Sequence, residues 1–363
     1  MSRYRCPGRI NLMGDHIDYH QGDVLPMAIQ QGIEVHLSAA ESIILQSDGQ
    51  SEIYRGERTD EMEADVQRGW INYPLGVISR FRDLYGLPAG FSLHYQSNLP
   101  QGAGLSSSAA IEIVTWYALC DFFGNAFHPK EAIKQCQQVE NQYVGVPCGV
   151  MDQAAVTLCQ KDHALLLQCD SLQHNFIPLM TGNIHWVILH TQKPRALIHS
   201  AYAARKQESD EAFALISEKK EDRTSLSQCV LDDLRFITNP DLRNRARHVI
   251  TEQWRVRESA RVLQLGDLQT FGRLMNASHR SLRNDYAVSG IELDTLIEAA
   301  EEHPGCLGAR MTGAGMGGCA IALVREESLE SFVEAVSKTY ETAIGYAPRI
   351  WTTEATGGVS TIN

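Results

Sequence analysis

The chain has 363 residues, 44% of them hydrophobic and 21% charged, and its 32 basic and 44 acidic side chains give a formal net charge of −12. Such a length predicts two domains with a core each, and the composition excludes disorder, collagen-like repeats and coiled coil. The negative charge argues against a protein that wraps nucleic acid or rests on an anionic membrane, and for small-molecule partners bound in local pockets.

The first residues lack the apolar core of a signal peptide, and no apolar run approaches the roughly 18 residues of a membrane span. Nine cysteines without a CxxC pair read as reduced, core-filling thiols. A cytoplasmic protein is therefore expected.

In chain order, the first informative stretch is Pro7-Gly-Arg-Ile-Asn-Leu-Met-Gly-Asp-His-Ile-Asp-Tyr19, which crowds Arg9, Asp15, His16 and Asp18 together. Two readings stand: a solvated loop, or a site where carboxylates accept hydrogen bonds from sugar hydroxyls while Arg or His donates. Short β-favouring runs predict strands at 24–29, 32–38 and 91–95.

The stretch Leu99-Pro-Gln-Gly-Ala-Gly-Leu-Ser-Ser-Ser-Ala-Ala110 passes through a glycine turn into an apolar helix predicted at 109–123, its first turn capped by hydroxyls. Glycines free to turn their amides inward, three hydroxyls and a helix N-terminus together form an anion cradle. The chain has no Gly-Lys-Ser/Thr, so the loop is not of the Walker type.

A second helix is predicted at 129–143, ended by Gly145-Val-Pro147, and strands follow at 164–168 and 184–190. Helices at 201–216, 244–262, 268–278 and 292–301 come next. Arg310-Met-Thr-Gly-Ala-Gly-Met-Gly-Gly-Cys319 contains a GxGxxG spacing, but it precedes a strand at 319–324, which excludes a dinucleotide-binding fingerprint. A tight turn between strands and a loop that approaches a ligand remain open there. A helix at 328–340 and a strand at 349–353 complete a two-lobed α+β or α/β chain, with a boundary near 180–190.

These three stretches, in this order, resemble the motifs of the superfamily of galactokinase, homoserine kinase, mevalonate kinase and phosphomevalonate kinase (GHMP kinases). Within it the chain is most similar to the galactokinase family: Glu140-Asn-Gln-Tyr-Val-Gly-Val-Pro-Cys-Gly-Val-Met-Asp-Gln153, Trp70-Ile-Asn-Tyr73, Tyr202 with Arg205, Glu252 and Ser278-His279 look like that family's segments. The resemblance implies an α+β, two-lobed GHMP kinase fold of mixed sheets and helices, divided into 1–185 and 186–363, with the active site between the lobes. It further implies phosphoryl transfer from ATP, with Mg²⁺, to the anomeric hydroxyl of a sugar, while monomer and weak dimer both stay open.

By the same resemblance Asp152 would be the general base and Arg9 its neighbour, stabilising charge on the transferred group. Asp15, His16, Asp18, Gly149 and Tyr202 would hold the sugar. Gly102, Gly104, Ser106, Ser107 and Ser108 would hold the phosphates, Trp70 and Tyr73 would lie near the adenine, and Ser108 with Glu140 would hold Mg²⁺. Galactokinases usually carry Glu, Thr and Asn where this chain has Asp15, Ile17 and His20. The resemblance implies D-galactose as the substrate, giving α-D-galactose 1-phosphate, while the shorter acid alters the contact at the sugar's hydroxymethyl end and leaves galacturonate, L-arabinose and N-acetylgalactosamine, or a sugar and ATP sensor without turnover, as alternatives.

Overall fold

The computed structural model describes residues 2–193 and 198–362. Its first part contains β1 (Ser2–Asn11), β2 (Asp23–Val24), β3 (Pro26–Ala40), β4 (Ile43–Ser47), β5 (Tyr54–Gly56), α1 (Asn72–Tyr85) and β6 (Gly90–Ser97). Then come α2 (Ser107–Phe123), α3 (Pro129–Gln138), α4 (Met151–Leu158), β7 (His163–Gln168) and β8 (His174–Pro178). The rest is β9 (Ile184–His190), α5 (Ile198–Ser217), α6 (Pro240–Gln264), α7 (Leu268–Ser281), α8 (Ile291–Glu302), β10 (Cys306–Thr312), β11 (Cys319–Arg325), α9 (Leu329–Ile344), β12 (Arg349–Thr353) and β13 (Ser360–Ile362).

The strands form a six-stranded sheet in the order β13-β1-β3-β6-β4-β5, a four-stranded sheet β10-β11-β9-β12 and a small sheet β2-β7-β8. The chain changes sheet between β8 and β9, and its last strand returns to pair with β1, Arg3 opposite Ile362. On the first sheet lies α2, whose residues Ala109 to Trp116 are all buried among β1, β3, α1, α3 and α4. A helix buried on every side has no polar face to expose, which is why its sequence shows no amphipathic period. In the second sheet β11 is buried from Cys319 to Val324, with α8 and α9 packed on it, and its residues are correspondingly apolar without alternation.

Several elements differ from expectation. The strands predicted at 24–29 and 32–38 are mostly one strand, β3, because β1 pairs with it on both sides of an irregularity at Ile29-Gln30-Gln31, from Asn11–Pro26 to Arg9–Ala28 and from Pro7–Gly32 to Ser2–Leu37. A Cβ at Gly32 would collide with the backbone carbonyl of Cys6, so the close approach depends on that glycine. The stretch from Pro7 to Asn11 is the buried end of β1 rather than a solvated loop. The helix predicted at 129–143 is regular only to Gln138 and widens into a π-type turn, Val139–Val144. The structure also adds α1 and α4, which the sequence reading did not place.

The glycines from 313 to 318 form the turn between antiparallel β10 and β11, with positive φ at Gly313, Gly315, Gly317 and Gly318. No helix follows, so a dinucleotide fingerprint is excluded by topology as well as by order.

Candidate active site

Five segments meet at a cavity of about 180 Å³. It is lined by Arg9, Asp15, His16, Asp18, Gly102, Gly104, Ser106, Ser107, Ser108, Glu140, Gly149, Asp152 and Tyr202, together with the turn residues Gly313 and Ala314. Trp70 and Tyr73 do not line it. The Trp70 ring meets Tyr95 edge-on at 5.7 Å, and its indole nitrogen is buried without a partner. A second hollow of about 760 Å³, beside Trp254 and Arg257, is larger but contains none of the motif residues. Volume alone therefore points away from the chemistry.

The position of Arg9 is set by an irregularity in β1, where the register with β3 shifts between Pro7 and Arg9. Beside it a side chain at Gly8 would strike Leu99 and the Leu105 carbonyl, so glycine lets the strand reach the 99–108 loop, and Arg9 N donates to Leu105 O at 3.1 Å. The buried Arg9 guanidinium then forms a fork on Asp152, Nε to Oδ1 at 2.9 Å and Nη2 to Oδ2 at 2.8 Å, and Nη1 donates to Gly104 O at 2.7 Å. Asp152 sits in the first turn of α4. There the helix N-terminus favours a negative charge.

The loop ahead of α2 has positive φ at Gly102, Gly104 and Ser106. Ser106 is the residue before the helix, yet its hydroxyl caps nothing, contrary to expectation, and its Oγ is buried without a partner in the cavity wall. A buried unpaired hydroxyl is costly unless a ligand oxygen completes it. The free amides of the first turn of α2 add the donors and dipole suited to an anion.

Glu140 lies in the widened turn, nearly buried, with the Ser108 hydroxyl near its carboxyl and Gln153 Nε2 donating to Oε2 at 2.7 Å. Burial, then the Asp152 charge, pushes its carboxyl up to about 7. A buried acid without a counter-cation, next to a hydroxyl, is a donor set that fits a hard divalent ion such as Mg²⁺. Among the described residues no three His, Cys, Asp or Glu side chains converge on a cation site, so an ion there would take its remaining ligands from phosphate and water.

Asp18 is held where a side chain at Gly149 would overlap its carboxylate, which explains why the 140–153 segment needs glycine at that point. Burial, then Asp152, pushes Asp18 up to about 7. His16 has both ring nitrogens engaged within the protein, Nδ1 with Tyr19 Oη at 2.9 Å and Nε2 with Ala314 O at 3.2 Å. Burial holds it neutral, down at about 3, and it forms cavity wall between the first motif and the glycine turn. Tyr202 packs on it with ring centroids 5.4 Å apart.

A raised carboxyl has a predictable consequence for stability. Between the ordinary value of 3.8 and about 7 the folded state keeps a proton on Asp18 that the unfolded state releases, so this group destabilises the fold increasingly as pH rises. Buried His16, His20 and His248, held down at about 3, 4 and 4, act in the opposite sense, so the test is a difference. Asp18→Asn is expected to melt increasingly above the ligand-free wild type as pH is raised from about 4 to about 7. A melting difference that is constant across that range would contradict the assignment.

Two residues of the site escaped the sequence reading. Glu112, completely buried in α2, accepts from Gln153 Nε2 at 3.2 Å, and burial followed by Glu140 raises its carboxyl well above the ordinary range. It was visible as the single charge between Ser107 and Cys120 in an apolar helix. Arg310, fully buried at the end of β10, pairs with Asp15 and Glu252 at 2.9 and 3.4 Å. It, too, is a lone charge in an apolar strand.

Comparison with known proteins gives a consistent picture. The family model for the GHMP kinases N terminal domain matches residues 72–160, that for GHMP kinases C terminal matches 259–342, and the galactokinase galactose-binding signature matches 3–39. A galactokinase of Halalkalibacterium halodurans is 38% identical over 98% of this chain and 91% of its own length. One of Staphylococcus carnosus is 40% identical over 98% and 94%. The crystal structure of Lactococcus lactis galactokinase complexed with galactose superposes with a TM-score of 0.95 at 35% identity, covering 99% of this chain and 95% of that one. Methanococcus jannaschii mevalonate kinase shares the fold, with a TM-score of 0.74 at 20% identity over 98% of each chain.

Proposed function

Since the chain belongs to the galactokinase family of GHMP kinases, we propose that it transfers the γ-phosphoryl group of ATP to the anomeric hydroxyl of D-galactose, giving α-D-galactose 1-phosphate and ADP. The observation that carries this reading is the Arg9–Asp152 fork at a cavity walled on one side by the glycine-serine loop and on another by the galactose-binding signature. A division into domains at 185/186 belongs to the same reading. It is supported by the change of sheet between β8 and β9, with β13 crossing back to the first sheet.

Phosphoryl transfer asks the protein to position the acceptor and to balance charge. Asp15, Asp18 and the Gly149 backbone bind the sugar hydroxyls, with Tyr202 closing the pocket from α5. Asp152 accepts the proton of the anomeric hydroxyl as the new O–P bond forms and the bond to the β-phosphate breaks. Arg9 fixes both carboxylate oxygens of Asp152 and faces the charge developing on the transferred group. Gly102, Gly104, Ser106 and Ser107 cradle the phosphates with amides and hydroxyls, and Trp70 and Tyr73 approach the nucleotide from outside the cavity. Ser108 and Glu140 hold Mg²⁺, which when bound neutralises phosphate charge.

Among the described residues the only cation lining the cavity, Arg9, is already forked on Asp152, so no free cation meets a uronate carboxylate beside Asp15, which favours a neutral hexose. ADP release with ATP and Mg²⁺ is therefore expected to be strongest for galactose in a panel with galacturonate, L-arabinose, N-acetylgalactosamine, glucose and mevalonate. Preference for another sugar would overturn the substrate while leaving the kinase reading intact. Silence across the panel with ATP still bound would replace the enzyme with a sugar sensor.

A further inference from the structure

The segment 11–15, which contributes the sugar-facing acid of the first motif, is tied to Leu25 on one side, through Leu12 N to Leu25 O and Leu25 N to Met13 O, and on the other side to the second half of the chain. Asn11 N donates to Thr312 Oγ1 at 2.8 Å, and Asn11 O accepts from Thr312 Oγ1 and Arg310 Nη1, each at 3.1 Å. Gly14 N donates to Glu252 Oε1 at 3.0 Å, and Asp15 O lies 3.1 Å from His248 Nε2. At the centre of this net is Arg310, with no exposure to solvent, its Nη2 2.9 Å from Asp15 Oδ2 and 3.4 Å from Glu252 Oε1.

The two oxygens of Asp15 are not equivalent. Oδ1 accepts from Asn11 Nδ2 at 3.1 Å and from Gly313 N at 3.0 Å, which uses both of its lone pairs. Oδ2 is buried, has Arg310 beside it, and among the described residues has no donor aligned on it. A substrate hydroxyl that donates to Asp15 therefore has Oδ2 as its acceptor, and the guanidinium determines where that oxygen lies. We propose that Arg310 is a positioning residue for sugar recognition, fixing the Asp15 carboxylate for one substrate hydroxyl and fastening the first motif to the second sheet through Glu252.

Glu252 is the counterweight that makes this possible. It also accepts from Ser278 Oγ at 2.6 Å and from Arg255 Nε at 2.6 Å. Burial alone would raise its carboxyl, but Arg255 and Arg310 hold it down at about 2, so it stays ionised and pins the same Arg310 Nη2 that faces Asp15. Asp15 is the weaker partner, since burial raises its carboxyl against the pull of Arg310. Removing the guanidinium therefore costs Asp15 both its position and its charge.

The inference rests on the sugar kinase reading and is tested by steady-state kinetics of Arg310→Met, Arg310→Lys and Asp15→Asn, with the Asp15→Asn background carrying each Arg310 variant. Arg310→Met is expected to raise KM for galactose about tenfold or more and to leave KM for ATP within about twofold, with Arg310→Lys recovering part of the loss. In the Asp15→Asn background Arg310→Met is expected to add less than about twofold, because the contact it governs is already gone. If Arg310→Met does not fold, Arg310→Lys carries the test, since an ammonium cannot reach Asp15, Glu252 and Asn11 O together, and the same galactose-specific rise is expected in smaller measure.

Equal rises in both KM values, or effects of Asp15 and Arg310 variants that simply multiply, would reduce Arg310 to a general stabilising residue. Failure of the underlying reading looks different: the wild type itself would then release no ADP with any sugar.

Discussion

Asp152→Asn is expected to lower kcat with galactose by about 10²- to 10⁴-fold, the usual contribution of a positioned general base. The substitution keeps the volume and one carbonyl oxygen, so a sugar hydroxyl still finds an acceptor, and KM for galactose should change by less than about threefold. What disappears is the basicity that takes the anomeric proton. The Arg9 fork also suffers, because Nε and Nη2 now meet one oxygen and one NH₂ group in place of two oxygens at 2.9 and 2.8 Å. A modest drop in melting temperature should accompany the loss, since Arg9 is buried and loses its counter-charge. Pre-steady-state ADP release distinguishes chemistry from product release as the slowed step, and a near-wild-type kcat would remove Asp152 from the reaction.

Arg9→Met is expected to be at least as damaging, by about 10³-fold or more in kcat/KM, because one guanidinium serves three acceptors. It orients Asp152 through two bonds, ties down the Gly104 carbonyl of the phosphate cradle, and faces the charge that develops during transfer. Arg9→Lys is not expected to rescue it, since an ammonium cannot span the carboxylate and the carbonyl with a planar fork. The double variant Arg9→Met with Asp152→Asn should be little worse than Arg9→Met alone, as groups that act as a unit lose their contribution together. Multiplying effects would mean that the pair acts independently and that the fork seen here is structural.

These effects concentrate in a small region that the chain assembles from distant parts. The glycine-serine loop, the first motif and the 140–153 segment all lie in the first half, but the turn that completes the cavity at Gly313 and Ala314 comes from the second sheet. Gly313 could not bear a side chain easily, since its φ is +82° and a Cβ would lie 3.0 Å from Gly104 O. The third motif is thus a close backbone approach to the first two.

The sequence by itself determined the mixture of helices and strands, the strand at Ile184–His190, the buried helix behind the phosphate loop and the long helices of the second half. All are local: hydrophobic period, glycine punctuation and helix signals act within about a dozen residues. It also carried the motif residues that line the cavity, because the backbone demands at Gly102, Gly104 and Gly149 leave glycines where other residues would not fit.

It did not reveal β1 as a central strand, since Pro7 and Gly8 read as loop until β3 on one side and β13 on the other supply the ladder. Nor did it reveal that Asp152 opens a helix, that Trp70 and Tyr73 stand outside the cavity, or that His16 has no nitrogen left for a sugar. Only the tertiary structure decided the charge pairs, Arg9 with Asp152 across 143 positions and Arg310 on β10 with Asp15 in the segment after β1. The physical reason is that a buried charge is tolerated only where an opposite charge and aligned donors meet it in space, and spacing along the chain places no constraint on which partner that will be.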